Sequence, residues 1–259
     1  MNEDYYSRTL TYGGASVEKC LRILSFWEEG MDVQTLYEKI LSAHPEHTAE
    51  SSMHFVKKLF KFRFLTPEAL PWTCLLKRYK SAFSGEVIEQ ICFLLTARAE
   101  HILRDFLTME YWPRVRQGEK RIDRELIRAF LMEAVREGRG GGVWTPARTR
   151  RVLSRLHTVC VGFHLMKPDP DSRVTPPVLF KEIAVLLAYD LKDRGLSDED
   201  VVRHRDWSLF GLSADDVKHL LSSSGMSRWM LVSEKNGKTA IDWQYPGMTE
   251  VAESYVANH

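Results

Sequence analysis

The chain has 259 residues, of which 44% are hydrophobic and 27% charged, and its formal net charge is +1. This composition is that of a folded globular protein of one to three domains, and it excludes an intrinsically disordered chain. A net charge so close to zero provides no general attraction to DNA or to anionic membranes, so any binding to nucleic acid must come from locally segregated charge.

The cysteines and the apolar runs indicate the cellular compartment. The four cysteines, Cys20, Cys74, Cys92 and Cys160, are far apart and form no Cys-x-x-Cys pair. This spacing argues against a zinc ribbon, a redox motif and a disulfide scaffold, and it fits a reducing compartment. The first residues are acidic, and the apolar runs are much shorter than the ~20 residues of a membrane span. We therefore expect a cytoplasmic protein that has no membrane segment.

Three amphipathic helices are predicted in an N-terminal domain over residues 1–66. Apolar residues recur at helical spacing over 15–29, and Asp32 is a candidate N-cap of the second helix. A third helix is expected from Thr48 to Leu65. A short turn at His44-Pro45 joins the second and third helices, which gives them the layout of a helix-turn-helix.

The third helix carries a basic group: Lys57, Lys58, Lys61 and Arg63. No acidic residue lies among them, and phenylalanines are interleaved with the charges. One interpretation is a recognition helix whose cations contact phosphates. The other is a helix whose lysines extend along a phenylalanine-rich core while their charged ends reach the solvent. Taken by itself, the pattern favours the second interpretation.

The central part of the chain, residues 67–195, is predicted to be a second helical domain. Two prolines within Thr66–Trp72 indicate a linker, and a helix resumes weakly from Ala69. A long helix is then expected over Glu86–Trp112, with Pro113 ending it. Because this helix is apolar on more than one face, we expect it to lie at the centre of the fold.

Three further features complete the predicted central domain. Asp123 is a candidate N-cap of a helix that ends near Gly138. The proline-rich stretch Lys167–Pro177 is typical of a loop, and it is a reasonable place for a hairpin-like wing or an exposed crossing. The last central helix is expected over Val178–Leu191, with Gly195 at its end.

The stretch Gly140–Met166 combines a helix signal with segregated charge. After a glycine-rich turn, Thr145 is a candidate N-cap, and Pro146 takes the first helical position, where no N–H is needed. The helix has an apolar stripe, no acidic residue and four arginines: Arg148, Arg150, Arg151 and Arg155. Three of the four share a face, since they are spaced i, i+3 and i+7. The pattern predicts either a helix that contacts nucleic acid or an ordinary solvated basic face.

Residues 196–259 are predicted to form a winged-helix-like module. Two short helices are expected first, and Ser213 opens the second with an acid three residues later, which indicates a capping box. The Asn-Gly pair at 236–237 lies between two strand-like runs and predicts a β-hairpin. Lys235 and Lys238 would then lie at the tip of the wing. The alternative is a hairpin that only covers an edge of the core.

The motif survey gives no enzyme. The tripeptide Gly237-Lys238-Thr239 lacks the upstream glycine of a phosphate-binding loop. A set of residues at metal-ligand spacing is scattered in direction by Pro45: His44, His47, Glu50 and His54. Neither a nuclease-like carboxylate cluster nor a nucleophile–base pair is evident. We therefore expect no metal, no cofactor and no catalytic activity.

Four stretches together carry a family resemblance: TYGGASVEKCLRILSFWEEGMDVQTLYEKIL, LLTARAEHILRDFL, VWTPARTRRVLSRLHTVCVGF and RWMLVSEKNGKTAIDW. They cover most of the chain, in order, and resemble the BrxA family, whose members are encoded in bacterial BREX phage-exclusion operons. The resemblance implies an all-helical fold like that of the antitermination factor NusB, with helix-turn-helix or winged elements. It also implies DNA binding rather than catalysis, and it offers no catalytic residues to carry over.

The resulting prediction is a mainly α, multi-helix bundle (NusB-like) with helix-turn-helix or winged-helix elements and one C-terminal β-hairpin. The predicted function is non-enzymatic binding of double-stranded DNA, mainly through phosphates, in a BREX defence system. The contacts would come from the four arginines of 148–155, with the basic group of 57–63 as a second patch. The alternative is a subunit that assembles other BREX proteins without contacting DNA.

Overall fold

A computed structural model describes residues 6, 15–43, 55–235 and 237–256 of the chain. The fold is mainly helical, as predicted. Within the described residues the one sheet is a two-stranded antiparallel hairpin near the C-terminus, which the Asn-Gly signal also predicted. None of the described helices combines the length and the apolar character that a bilayer crossing needs.

The helices and strands follow one another with short connections. In chain order the α-helices are Val17–Phe26 (α1), Val33–Ala43 (α2), Lys61–Phe64 (α3), Leu70–Tyr79 (α4), Gly85–Ala99 (α5), His101–Phe106 (α6), Trp112–Arg116 (α7), Arg124–Arg136 (α8), Pro146–Gly162 (α9), Lys181–Asp193 (α10), Asp198–Arg203 (α11), Ala214–Leu221 (α12) and Met248–Val256 (α13). The strands are Met230–Lys235 (β1) and Lys238–Trp243 (β2). Two π-helical turns, Phe55–Phe60 and Leu107–Tyr111, precede α3 and α7, and 3-10 turns lie at Lys80–Ala82, Arg205–Phe210 and Ser224–Met226.

The contacts group the chain into two compact units. Unit 1 contains Met1–Thr73 and Cys92–Pro177, and unit 2 contains Cys74–Ile91 and Val178–His259. The chain passes from one unit to the other within α4 and again within α5. The division into domains over 1–66, 67–195 and 196–259 stays a prediction.

Side-chain caps start several helices where the sequence predicted them. Asp123 accepts a hydrogen bond from the Leu126 backbone N–H (2.9 Å), which caps α8. At α12, Ser213 and Asp216 form the reciprocal capping box. Each cap satisfies an N–H group that the first turn of a helix leaves without an internal partner, and this fixes where the helix begins.

Two proline-based predictions were wrong. Leu70–Tyr79 is helical from its first turn, because Pro71 lies where an α-helix needs no N–H. The helix predicted over Glu86–Trp112 breaks at Glu100, and the chain continues through Pro113 to Arg116. A π-helical turn directly precedes Pro113, and this wider turn absorbs the clash that a proline ring causes with the preceding carbonyl.

The predicted helix-turn-helix is described only in part. Its turn and the start of its third helix, residues 44–54, lie outside the described residues, as does the set of candidate ligands around Pro45. The described remainder of the third helix is a π-helical turn followed by α3, and it contacts α2. The buried side chains Val56, Leu59 and Phe60 fill the space between these helices and α1.

In unit 2, helix α10 forms the centre of the core. All nine residues from Ile183 to Leu191 are buried, and α10 contacts α11 and α13. The Tyr189 hydroxyl donates to the Trp229 carbonyl and accepts a hydrogen bond from the Tyr245 N–H, so it links both ends of the hairpin to α10. This hydrogen-bonded tyrosine fixes the hairpin against the helical core.

Candidate nucleic-acid interface

Helix α9 starts as its sequence predicted. Thr145 has extended backbone geometry, and its hydroxyl accepts a hydrogen bond from the Arg148 N–H at 3.2 Å. Pro146 takes the first helical position. With no N–H to satisfy and a fixed φ, Pro146 favours the helix at this point.

The glycine-rich turn before α9 is closed by a buried tryptophan. The Trp144 indole N–H donates to the Gly140 carbonyl at 2.9 Å, and the side chain is almost fully buried. A Cβ atom on Gly140 would lie 2.8 Å from that indole nitrogen, so the close approach requires glycine. Gly141 and Gly142 have φ values of +67° and +124°, which other residues rarely adopt. The turn and Trp144 therefore hold the N-terminus of α9 in one place.

One side of α9 is buried against α8. The two helices contact each other, and α9 contributes Val152, Leu156, Val159 and Cys160 to the core. Helix α8 presents its own buried residues, among them Phe130. Because the apolar residues of α9 recur every three or four positions, the opposite side of the helix must face the solvent.

The four arginines of α9 differ in their surroundings. Arg150, Arg151 and Arg155 are exposed, and none of them forms an ion pair with a described residue. Arg148 is half-buried, and its guanidinium carbon lies 4.6 Å from the centre of the Trp144 ring. Between the exposed arginines the outer side of the helix carries Ser154 and other small residues. The structure thus presents three guanidinium groups to the solvent, with a fourth stacked on an aromatic ring beside them.

The lysines of the second predicted patch also differ. The Lys57 ammonium donates to the Gln34 side-chain oxygen at 2.8 Å and lies 5.7 Å from the centre of the Tyr37 ring. Lys58 and Lys61 are exposed. Two of the lysines therefore face the solvent, while Lys57 holds the π-helical turn against α2.

The prediction for Arg63 requires correction. Arg63 is only 1% exposed, and its guanidinium donates to Glu100 Oε1 from Nη2 at 3.0 Å and from Nε at 3.3 Å. Its burial keeps it from a phosphate on the surface. The spacing held the signal, because Arg63 follows the buried residues Leu59 and Phe60 by four and three positions. It therefore belongs to the apolar stripe of the segment and not to its basic side.

A polar cluster lies where α9 meets the loop that follows it. Asp169 binds Arg124 at 2.5 Å and accepts a hydrogen bond from the Ser172 hydroxyl at 2.8 Å. The buried His157 imidazole on α9 lies 3.4 Å from the same carboxylate. The Arg124 hydrogen bond lowers the pKa of Asp169, and burial lowers the pKa of His157. Because Ser172 bonds to the carboxylate and not to the imidazole, the cluster lacks the hydroxyl–imidazole bond of a hydrolase.

The C-terminal hairpin has the predicted register, and its β2 edge is occupied by carboxylates. Lys235 pairs with Lys238 at the turn. Asp198 accepts hydrogen bonds from the Ile241 N–H at 2.8 Å and the Trp243 indole N–H at 3.1 Å, and Glu199 accepts one from the Thr239 N–H at 3.1 Å. Lys238 is exposed at the tip. A role of this hairpin as a DNA-binding wing stays a prediction.

The sequence comparisons identify the family but bring no characterised relative. No curated protein and no solved structure matches the chain. The likeness to NusB that the resemblance implied therefore stays a prediction. The model of the BrxA family, a component of BREX phage-exclusion systems, matches residues 4–190, which is well over half of the sequence. The chain belongs to the BrxA family.

Proposed function

We propose that this BrxA-family chain is a non-enzymatic, duplex-DNA-binding protein of a BREX phage-exclusion system, and that the exposed side of α9 is its main contact. The observation that carries the proposal is the row of exposed guanidinium groups, Arg150, Arg151 and Arg155, none of which has an ionic partner among the described residues. A guanidinium group matches a phosphate both in charge and in hydrogen-bonding geometry.

The distribution of charge supports a polyanion as the partner. No acidic residue lies between Gly138 and Pro168, although six cationic residues do. Unit 1 contains 24 Lys and Arg against 20 Asp and Glu, whereas unit 2 contains 12 against 15. A chain with almost no net charge therefore carries a positive region in unit 1, which is the local segregation that DNA binding requires.

The proposal of no catalysis rests on the state of the nucleophilic groups. Burial raises the pKa of the Cys20 thiol to about 11 and that of the Cys160 thiol to about 12, so both thiols are protonated at neutral pH. A protonated thiol is a poor nucleophile. The Ser172 hydroxyl is bonded to a carboxylate, as described above.

The test is a fluorescence-anisotropy titration of a labelled duplex over a series of salt concentrations. The variant Arg150→Gln/Arg151→Gln/Arg155→Gln removes the exposed row, and Arg22→Gln/Arg116→Gln/Arg128→Gln removes three exposed arginines from α1, α7 and α8 as a matched control. Each phosphate contact contributes about 0.9 to the slope of log K against log salt, so the α9 variant should lower the slope by about 2 to 3. The control variant should keep a slope close to that of the parent.

The same titration separates DNA binding from protein assembly. An unlabelled duplex of unrelated sequence should compete almost equally well, because phosphate contacts carry no sequence information. If the parent does not bind duplex DNA even at low salt, the proposal is wrong, and a role in assembling other BREX proteins becomes the better explanation. If the α9 and control variants lose affinity equally, DNA binding remains but α9 is not its main contact.

A further inference from the structure

The loop after α9 forms a small ribbon with the segment before α8. The backbones of 120–122, 165–167 and 172–175 are joined by antiparallel bridges, Arg121 with Arg173 and Met166 with Val174. Four backbone hydrogen bonds of 2.8–3.0 Å connect them: Val174 to Lys120, Ile122 to Ser172, Lys167 to Arg173 and Thr175 to Leu165. The segment 172–175 is therefore the middle of three aligned segments. We call this element the 165–175 ribbon.

The 165–175 ribbon has one buried face and one cationic face. Ile122, Met166 and Ser172 are buried. Side chains of successive residues in an extended segment point to opposite faces, and bridged residues share a face. The residues next to the buried ones, Arg121, Lys167 and Arg173, therefore share the outer face: all three are exposed.

The outer face carries more positive than negative charge. Its acidic neighbour is Asp171, which binds Arg173 at 3.0 Å. That bond lowers the pKa of Asp171, and the charges of Arg121 and Lys167 lower it further, which places all three cations near one carboxylate. Arg121 and Arg173 are bridge partners, and like charges in such positions repel each other. A bound polyanion would relieve that repulsion.

The ribbon is held in place beside α9. Arg121 donates to the Pro170 carbonyl at 2.7 Å, and Arg124 binds Asp169 at 2.5 Å. His157 of α9 lies next to the same Asp169 carboxylate. The cationic face is therefore attached to both helices that frame the α9 surface. A rigid mount lowers the entropy that the cations lose when they bind a ligand.

We infer that Arg121, Lys167 and Arg173 form a second phosphate-contacting surface for the same duplex that α9 binds, so that the ribbon acts as a wing beside the arginine helix. The inference rests on the proposed function. It gives the wing role to the ribbon in unit 1, where the cations cluster. The C-terminal hairpin lies in unit 2, where acids outnumber basic residues.

The experiment uses the full chain and a fluorescein-labelled duplex of random sequence, about 30 bp or three helical turns long. The variant Arg121→Gln/Lys167→Gln/Arg173→Gln should weaken binding at low salt and lower the salt slope by about 2 to 3. The control Arg22→Gln/Arg116→Gln/Arg128→Gln should not. A fourth protein, Asp171→Asn, removes the acid of the outer face and should tighten binding about two- to five-fold.

Asp171→Asn keeps the test decisive, because misfolding does not produce a gain in affinity. If the triple variant loses its circular-dichroism spectrum, Lys167→Gln, whose slope should fall by about 1, and Asp171→Asn decide the matter. If the α9 variant is impaired while all ribbon variants bind like the parent, the ribbon inference is overturned and the proposed function stands. If the parent itself fails to bind duplex DNA, both fail together.

Discussion

Arg63 and Glu100 form an ion pair inside unit 1 with both side chains fully buried, and the Nη2–Oε1 distance is 3.0 Å. Helix α5 ends one residue before Glu100, and the non-helical backbone of this residue lets the carboxylate meet the guanidinium. The break in the long apolar helix and the inward turn of Arg63 are thus two sides of one interaction.

Removal of one partner of this ion pair should destabilise the protein strongly. Arg63→Met keeps the length of the side chain but leaves the Glu100 carboxylate buried without its partner, which typically costs about 3–5 kcal/mol. The double variant Arg63→Met/Glu100→Gln should recover much of that loss, because no unpaired charge remains. Urea unfolding monitored by circular dichroism measures both. An Arg63→Met protein as stable as the parent would show that the pair contributes nothing.

The two exposed lysines next to this ion pair test the second basic patch. If Lys58 and Lys61 contact phosphates, Lys58→Gln/Lys61→Gln should reduce the salt slope of duplex binding by about 2, because each lost contact contributes about 0.9. Lys57→Gln is the natural comparison, since its ammonium is already bonded to Gln34. An equal effect of the single and the double change would argue against a contact by Lys58 and Lys61.

Gly140→Ala should disturb the entry of α9. The new methyl group would lie 2.8 Å from the Trp144 indole nitrogen, and the rigid ring must move to admit it. Overpacking of this kind costs about 1–3 kcal/mol. We expect a lower unfolding midpoint together with weaker duplex binding, because Trp144 also supports Arg148. Gly118→Ala is no substitute as a control, since Gly118 has φ +83°; Ala129→Gly, on the exposed side of α8, gives a small helix-propensity change for comparison.

Glu199 should make the stability of the protein depend on pH in acid. Hydrogen bonds from Thr239 and Arg203 lower the pKa of Glu199 from 4.5 to about 2. The folded state therefore holds the carboxylate charged where the unfolded chain would protonate it. This contribution is fully present above pH 4.5 and is lost as the pH falls through about 2.

The corresponding measurement compares unfolding midpoints near pH 5 and near pH 3 for the parent and for Glu199→Gln. The parent should lose more stability over this interval than the variant, which has no carboxylate to protonate at that position. Other carboxylates with lowered pKa values, such as Asp169, remain in both proteins and cancel in the comparison. Identical losses in the two proteins would contradict the assignment of this effect to Glu199.

Local signals in the sequence determined much of the fold. Thr145, Asp123 and Ser213 mark the starts of helices because a cap needs only the side chain of one residue and N–H groups two or three positions later. The Asn-Gly signal located the hairpin for the same reason, since a two-residue turn depends on its own backbone preferences. The exposed arginines of α9 also followed from helical spacing alone.

Long-range partners were decided only by the tertiary structure. Nothing near Arg63 in the sequence names Glu100, 37 positions away, as the acid that draws it inward. The ribbon likewise forms from segments about 50 residues apart, so that Arg121 and Arg173 become neighbours only after α8 and α9 have packed together. Charge spacing within one helix shows which side chains share a face. Whether a cation on that face meets solvent or a buried carboxylate depends on the element that packs against it.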